Sequence, residues 1–283
     1  MNKDSHRIVK SNLLIESRYR FSLIETKMFL LLIKDIPIND RIFTERKLYI
    51  RDLIEDAHIG SRAIYSRIKE ISMKFSVLYI DLKKSEDAFD HRPIMSRFDY
   101  EKGREYILYQ FNERLRKHLL RLKDNFTSYD IENIINCNSV YSIRIYELLK
   151  SFEYKKKKKK TFELSELKKM FDCEDAYKKW SDFRRFVLET AKKELKKHSD
   201  IYFDFSGIKK GRSIKLVEFR ILKQKQQRLF DNKLEPAKPL TDYQLDATDK
   251  AETETARLQD PEVVSYSEIK DLKKANVTCN KGV

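Results

Sequence analysis

A basic helix face is the feature of this sequence whose residue types and spacing point most directly to a chemistry. At 100° per residue, apolar residues three or four apart fall on one side of a helix and predict a core-facing stripe. They are Trp180, Phe183, Val187, Ala191 and Leu195. The opposite side carries Arg185, Glu189, Lys192, Lys193 and Lys196. Arginine there can bind O6 and N7 of guanine, and lysine can neutralise phosphate. A solvated helix face is the alternative, and it is the better explanation for the helix taken alone.

A cationic hairpin tip follows that helix and favours the nucleic-acid interpretation. Residues 201–205 and 214–221 are predicted strands, and Lys209-Lys210-Gly211-Arg212 lies between them with a glycine at the turn. A helix followed by such a hairpin is typical of a winged helix. We predict DNA contacts in this half from Lys179, Ser181, Arg184, Arg185, Glu189, Lys192, Lys193, Lys196, Lys209, Lys210 and Arg212. A weaker set in the first half consists of Arg62, Arg67, Lys102 and Arg104.

The net charge of the 283-residue chain is +15, and it is unevenly distributed. Residues 139–225 contain 25 Lys and Arg against 13 Asp and Glu. Residues 1–138 contain 26 against 21, and residues 226–283 contain 9 against 11. A concentrated excess of this kind indicates a domain that binds a polyanion. A lysine-rich, solvated protein surface is the alternative.

Signatures of catalysis and of cofactor binding are absent from the sequence. It contains no G-x-x-x-x-G-K-[ST] motif, which argues against a P-loop ATPase, and its histidines are scattered, which argues against a strand-nicking relaxase. Cys137, Cys173 and Cys279 are odd in number and far apart, so we expect a reducing compartment without disulfides or bound zinc. No apolar run reaches 18 residues. We therefore expect a cytoplasmic protein that is not an enzyme, holds no cofactor or metal, and does not contact a membrane.

The first half predicts the element order of a winged helix. Ser22 and Glu25 have capping-box spacing at the start of an apolar helix that ends before Pro37. The following predicted elements are a short strand or turn region (41–50), helices at 51–58 and 61–75, a strand (77–82) and a hairpin (93–100 and 106–111). The hairpin turn is Glu101-Lys102-Gly103-Arg104. Residues 113–138 are predicted to be a connector with two short helices.

The second half repeats that order. The predicted elements are a helix (141–152), a six-lysine loop (155–160), a short helix capped by Ser165 (165–171), a long helix capped by Ser181 (181–197) and the cationic hairpin. Two local similarities support a duplication: Tyr141-Ser142-Ile143 is similar to Phe21-Ser22-Leu23, and Lys210-Gly211-Arg212 repeats Lys102-Gly103-Arg104. We predict an α+β, mostly helical fold with two tandem winged-helix domains and a pseudo-twofold internal repeat. The predicted domains are residues 1–124, residues 125–225 with the connector, and a polar, disordered tail at 226–283.

Two charged residues fall on the apolar sides of predicted helices. These are Arg144 and Glu194. A buried charge requires a partner, so we predict that they pair across the first and third helices of the second domain. The alternative is that each side chain extends to the surface.

Segments spread in order over residues 7–223 match a known family. They are Val9-Lys10-Ser11-Asn12-Leu13-Leu14, Asn125-Phe126-Thr127, Tyr141-Ser142-Ile143-Arg144-Ile145-Tyr146-Glu147-Leu148-Leu149, Tyr177, Phe183-Arg184-Arg185-Phe186-Val187-Leu188-Glu189, Ala191-Lys192-Lys193-Glu194-Leu195, Lys209-Lys210-Gly211-Arg212 and Phe219. In these segments the chain resembles the initiator Rep proteins of iteron-containing bacterial plasmids. The six-lysine loop and the tail depart from that pattern.

The resemblance implies two winged-helix domains side by side on one duplex. The second would recognise an origin repeat in the major groove with the helix at 181–197. The first would contact neighbouring backbone and form a dimer interface. In this family monomers open the origin and recruit the host initiator and helicase, and dimers repress the initiator's own promoter. We therefore expect double-stranded DNA, those host proteins and a second copy of the chain as partners.

Two other functions compete with replication initiation. One is a winged-helix transcriptional regulator without a replication role. Such a repressor usually combines one DNA-binding domain with a ligand or dimer domain, whereas two similar modules favour a longer asymmetric site. The other is an RNA-binding protein, for which aromatic platforms on a sheet would be expected and none is evident.

Overall fold

The same element order occurs twice in the computed structural model, which describes residues 7–37, 40–77, 79–81, 91–155 and 158–223. The helices are α1 (Asn12–Glu16), α2 (Leu23–Lys34), α3 (Ile50–Glu55), α4 (Ser61–Val77), α5 (Arg116–Leu119), α6 (Val140–Lys150), α7 (Leu164–Met170), α8 (Trp180–Asp182) and α9 (Thr190–His198). A π-helical stretch, Phe183–Glu189, joins α8 to α9, and 3-10 turns occupy Glu113–Leu115 and Ile131–Asn133. The strands are β1 (Arg7–Ser11), β2 (Arg46–Tyr49), β3 (Tyr79–Asp81), β4 (His91–Pro93), β5 (Met95–Asp99), β6 (Tyr106–Phe111), β7 (Phe126–Asp130), β8 (Lys159–Glu163), β9 (Ile201–Lys210) and β10 (Ser213–Lys223).

Two three-stranded antiparallel sheets have equivalent strand orders. The first is β2-β6-β5 and the second is β8-β10-β9. In each sheet the strand that follows the first helix of the module pairs with the last strand of the hairpin. This topology confirms the predicted pair of winged helices and the repeat of element order. The first module has an additional strand pair, β3–β4, between its third helix and its hairpin.

Helix α2 begins as predicted. The backbone N–H of Ser22 donates to Glu25 Oε2 at 2.8 Å, and Glu25 N–H donates to Ser22 Oγ at 3.4 Å, which completes the capping box. All residues from Leu23 to Ile33 are buried within the chain. This burial on every side explains why the helix is so apolar. Lys27 is buried with them and donates to the Ala57 carbonyl at 3.1 Å. Desolvation lowers the pKa of Lys27 to about 8.

A two-stranded sheet joins the first described residues to the connector. Strand β1 pairs antiparallel with β7, from Arg7 opposite Asp130 to Ser11 opposite Phe126. Lys10 extends from β1 to α6, where its ammonium lies 2.6 Å from the Glu147 carboxylate, and both residues are 1% exposed. The hydroxyl of Tyr129 donates to the same carboxylate. Burial, together with that carboxylate, raises the pKa of Tyr129 well above its ordinary value, so Tyr129 remains a hydrogen-bond donor.

The predicted pairing of Arg144 with Glu194 is wrong, because each side chain has backbone partners instead. Arg144 donates to the carbonyls of Ser17 at 2.8 Å and Met170 at 3.0 Å, and its guanidinium lies 3.9 Å from the Tyr19 ring centroid. Glu194 accepts from the backbone N–H groups of Asn138 and Ser139, both at 3.2 Å. The Glu194 carboxylate therefore satisfies backbone N–H groups at the start of α6 and stabilises that end of the helix.

Three local predictions in the second half also require correction. Ser165 and Ser181 lie inside their helices, which have Glu163 and Lys179 at their N-caps without a side-chain capping bond. The six-lysine segment is not a loop throughout, since Lys159 and Lys160 are the first residues of β8. Their side chains form ion pairs with Glu218 and Glu16, respectively. Strand β7 occupies connector residues that were predicted without a strand. The predicted tail, 226–283, lies outside the described residues.

Candidate nucleic-acid interface

A single long helix (residues 180–198), made of α8, the π-helical stretch and α9, carries the predicted cationic face. Phe183, Val187, Ala191 and Leu195 are all buried. Their four-residue spacing exceeds the 3.6 residues of an α-helical turn, and the wider π turn keeps them on one side. The same turn leaves Arg184, Arg185 and Phe186 exposed in succession.

Two side chains on the exposed side of the long helix form ion pairs. Arg184 lies 3.4 Å from Glu189, and Lys192 lies 2.7 Å from Asp204 on β9. The hydrogen bond from Lys192 lowers the pKa of Asp204, so this ion pair ties the helix to the hairpin. Six of the predicted contact residues in this region are exposed to solvent: Lys179, Ser181, Arg184, Arg185, Lys193 and Lys196.

The hairpin β9–β10 extends well beyond the core. Every residue from Ser206 to Ser213 is exposed, which includes the predicted contact residues Lys209, Lys210 and Arg212. Gly211 turns the tip at φ +68°, a conformation that glycine adopts without the steric cost of a side chain. The tip thus holds three cations at the end of a two-stranded ribbon whose pairing shifts register between Ile214 and Leu216.

The long helix and the wing are in close contact at Gly207. A Cβ atom at this position would lie 2.8 Å from Cζ2 of Trp180 and 3.1 Å from the Ile214 side chain. No other residue type fits there without displacing the indole, since real Cβ contacts of this length essentially do not occur. The contact fixes the position of the hairpin against the first turn of the long helix.

The predicted contact residues of the first module present less free charge. Arg104, at the tip of β5–β6, lies 2.6 Å from Glu101 and 3.3 Å from Asp99, and its side chain is 25% exposed. Lys102 is exposed beside Gly103, whose φ is +91°. Arg67 is half-buried on α4, and Arg62 is on the same helix, with a side chain outside the described part of the chain. The first hairpin is therefore close to neutral where the second is strongly positive.

Phe186 is a surface residue that the helical-wheel argument did not select. Phe186 is 47% exposed. Its ring stacks on Tyr177 at a centroid distance of 5.9 Å and an interplanar angle of 23°, and the Arg185 guanidinium lies 5.2 Å from its centroid. At 100° per residue Phe186 falls next to Lys193 at the edge of the basic face, but a set of contact residues chosen for charge and polarity leaves a phenylalanine out.

The described residues contain no group of three His, Cys, Asp or Glu side chains arranged to hold a metal ion. Over the same ranges, no helix has the combined length and apolar character needed to cross a membrane. Cys137 and Cys173 are buried, and desolvation raises the pKa of both thiols, that of Cys173 to about 12. Neither thiol is poised to act as a nucleophile.

Two tandem winged helices, one of which exposes cations on both its long helix and its wing, define a class of DNA-binding protein. The family model "Initiator Replication protein, WH1" matches residues 7–150, and the model "Initiator Rep protein, WH2" matches residues 163–221. The chain belongs to this family of Rep initiators.

Individual relatives agree with that assignment. The chain is 32% identical over 114 residues to a protein of Escherichia coli named "Replication initiation protein". The match covers 39% of this chain and 35% of that protein, so the chain spans about a third of the relative's length. The crystal structure of the Pi initiator protein in complex with iteron DNA is similar in fold, with a TM-score of 0.64 and 20% identity. That match covers 80% of this chain and 100% of the Pi chain.

Proposed function

We propose that this protein initiates plasmid replication by binding repeated duplex DNA sites at an origin. Membership in the Rep initiator family supports the proposal, and the similar Pi protein was crystallised on iteron DNA. The observation that carries it is the joint exposure of Arg184, Arg185 and the wing-tip cations on one module. In the major groove the arginines would bind base edges, while the wing would contact phosphates or the minor groove.

The two modules would divide this task. Residues 125–225 would recognise the repeat sequence, because their hairpin tip carries cations without acidic neighbours in the turn. Residues 1–124 would contact adjacent backbone and form a homodimer interface, a role that fits the ion-paired state of Arg104. Residues 226–283, outside the described part of the chain, would be a polar tail.

Origin opening would depend on binding energy and on host proteins. The sequence has no nucleotide-binding loop, so we assign the chain no ATPase activity and no cofactor. Monomers would open the origin together with the host replication initiator and helicase. Dimers in equilibrium with them would repress the promoter of the initiator itself. These steps would take place in the cytoplasm.

A salt titration tests duplex binding. The purified chain is titrated in gel shifts against a duplex of direct repeats from its own replicon, a scrambled duplex and single-stranded RNA. The slope of log affinity against log salt should be about −0.9 for each phosphate contact. The repeat duplex should bind more tightly than the other two nucleic acids at every salt concentration. Equal affinity for repeat DNA and RNA would refute the proposal.

Two substitutions separate base recognition from backbone contact. Arg185→Ala should cost about 1–3 kcal/mol on the repeat duplex and little on scrambled DNA, because arginine at that position would bind a base. Lys210→Ala should weaken binding to both duplexes by the same factor and reduce the salt slope by about one contact. A normal affinity of Arg185→Ala for the repeat would show that this face does not enter the major groove.

A further inference from the structure

The phenyl ring of Phe186 lies among cations on the surface assigned to DNA. Isolated exposed apolar residues are common and need no explanation by themselves. Phe186 differs because its ring is held in place, by stacking on Tyr177 at 5.9 Å and by the Arg185 guanidinium at 5.2 Å. An exposed ring held between a turn and a charged helix face is an oriented apolar contact surface.

Phe186 belongs to the π-helical stretch of the long helix. In this stretch Val187 and Leu188 are both buried, whereas Arg184, Arg185 and Phe186 are exposed in succession. The three outward residues belong to the first half of the long helix, the part of a recognition helix that contacts base edges. Phe186 therefore lies beside the arginines in the region that would enter the major groove.

We infer that Phe186 is a specificity-determining residue that contacts the C5-methyl group of a thymine near the base bound by Arg185. This inference rests on the proposed function and adds a feature of the site. The thymine methyl is the apolar group among the base-edge patterns of the major groove, and apolar side chains recognise it there. A phenyl ring would select thymine over cytosine at that position, whereas Arg185 would select guanine.

The test uses repeat duplexes in which thymine is replaced by deoxyuridine, which pairs identically and lacks only the methyl group. The wild-type protein should lose about fourfold in affinity for each contacted methyl, the fold-change that corresponds to about 0.8 kcal/mol. Phe186→Ala should bind the thymine duplex more weakly than the wild type and should bind both duplexes equally. Phe126→Ala, which removes a phenylalanine of similar exposure (41%) from β7, should retain the full wild-type discrimination.

The outcomes distinguish this inference from the function on which it rests. Equal affinity of the wild type for thymine and deoxyuridine repeats, with the repeat still preferred over scrambled DNA, would overturn the role of Phe186 alone. The same would follow if Phe186→Ala kept the wild-type discrimination. Equal binding of the wild type to repeat and scrambled duplexes would overturn the proposed function and the role of Phe186 together.

Discussion

The buried ion pair between Lys10 and Glu147 allows a quantitative prediction of stability. Both residues are 1% exposed, and Glu147 also accepts a hydrogen bond from Tyr129. Lys10→Met leaves the carboxylate buried without its cation, and breaking a buried pair in this way costs about 3–5 kcal/mol. Glu147→Leu leaves the ammonium uncompensated and should cost a similar amount.

The double variant, Lys10→Met with Glu147→Leu, should lose less than either single variant. An apolar pair of similar volume removes both desolvation costs, so what remains is the unsatisfied Tyr129 hydroxyl, about 1–3 kcal/mol. Adding Tyr129→Phe should recover most of that remainder. The free energy of unfolding from urea titrations, followed by circular dichroism, gives each value.

The matched control is an exposed ion pair of the same residue types. Lys159 and Glu218 lie 3.3 Å apart with side chains 43% and 33% exposed, so Lys159→Met should cost at most about 1 kcal/mol. An equal cost of Lys10→Met and Lys159→Met would contradict a stabilising buried pair. A loss in the double variant equal to the sum of the two single losses would also contradict it, because the two side chains would then act independently.

Two further predictions concern tight packing and a buried lysine. Gly207→Ala should destabilise the protein by about 1–3 kcal/mol and weaken repeat binding, because its Cβ would lie 2.8 Å from the Trp180 ring. Adding Trp180→Leu should restore stability, and a Gly207→Ala protein with unchanged unfolding and DNA affinity would contradict the packing argument. Lys27, with a pKa of about 8 in the folded state against 10.5 ordinarily, binds its proton less tightly when folded. Stability should therefore rise with pH between about 8 and 10.5, and Lys27→Met should remove a rise on the order of 2–3 kcal/mol between pH 7 and 10. Unfolding free energies with the same pH slope in both proteins would argue against that assignment.

The sequence predicted those parts of the fold that depend on local patterns. The capping box of Ser22 and Glu25, the glycine-tipped hairpins and the repeated element order all have short-range signals, and the structure contains each of them. The position of the cationic wing in the chain was predicted in the same way, from the local sequence Lys209-Lys210-Gly211-Arg212.

Local patterns could not predict the long-range partners or the π turn. Strand β1 has a lysine at a buried position, so alternation does not reveal it as a strand, and its partner β7 is far away in the chain. Arg144 and Glu194 were expected to pair because a helical wheel displays side chains alone. The backbone groups that form hydrogen bonds with these two residues do not appear in it. The exposure of Arg184 could not follow from 100° periodicity, which puts it on the apolar side of the helix; it lies in a π turn, which that periodicity cannot represent.

Several segments that carry the family resemblance lie close together at the junction between the modules. The backbone N–H of Asn12 donates to the carbonyl of Asn125 at 2.7 Å, and Thr127 Oγ1 donates to Asn12 Oδ1 at 2.6 Å. Glu147, from the α6 segment, pairs with Lys10 of the first. These motifs therefore define how the modules join, whereas the proposed DNA contacts belong to the later segments.

The pairing of β1 with β7 also has a consequence for the order of events during synthesis. Paired residues of β1 and β7 are 115–123 positions apart, from Ser11 opposite Phe126 to Arg7 opposite Asp130, so at about 5–20 residues per second the strand waits roughly 6–25 s on the ribosome for its partner. During that interval Lys10 remains hydrated and β1 is an unpaired edge. The first module can form its own sheet, β2-β6-β5, from residues that emerge before β7. We therefore expect closure of the junction to follow formation of that sheet.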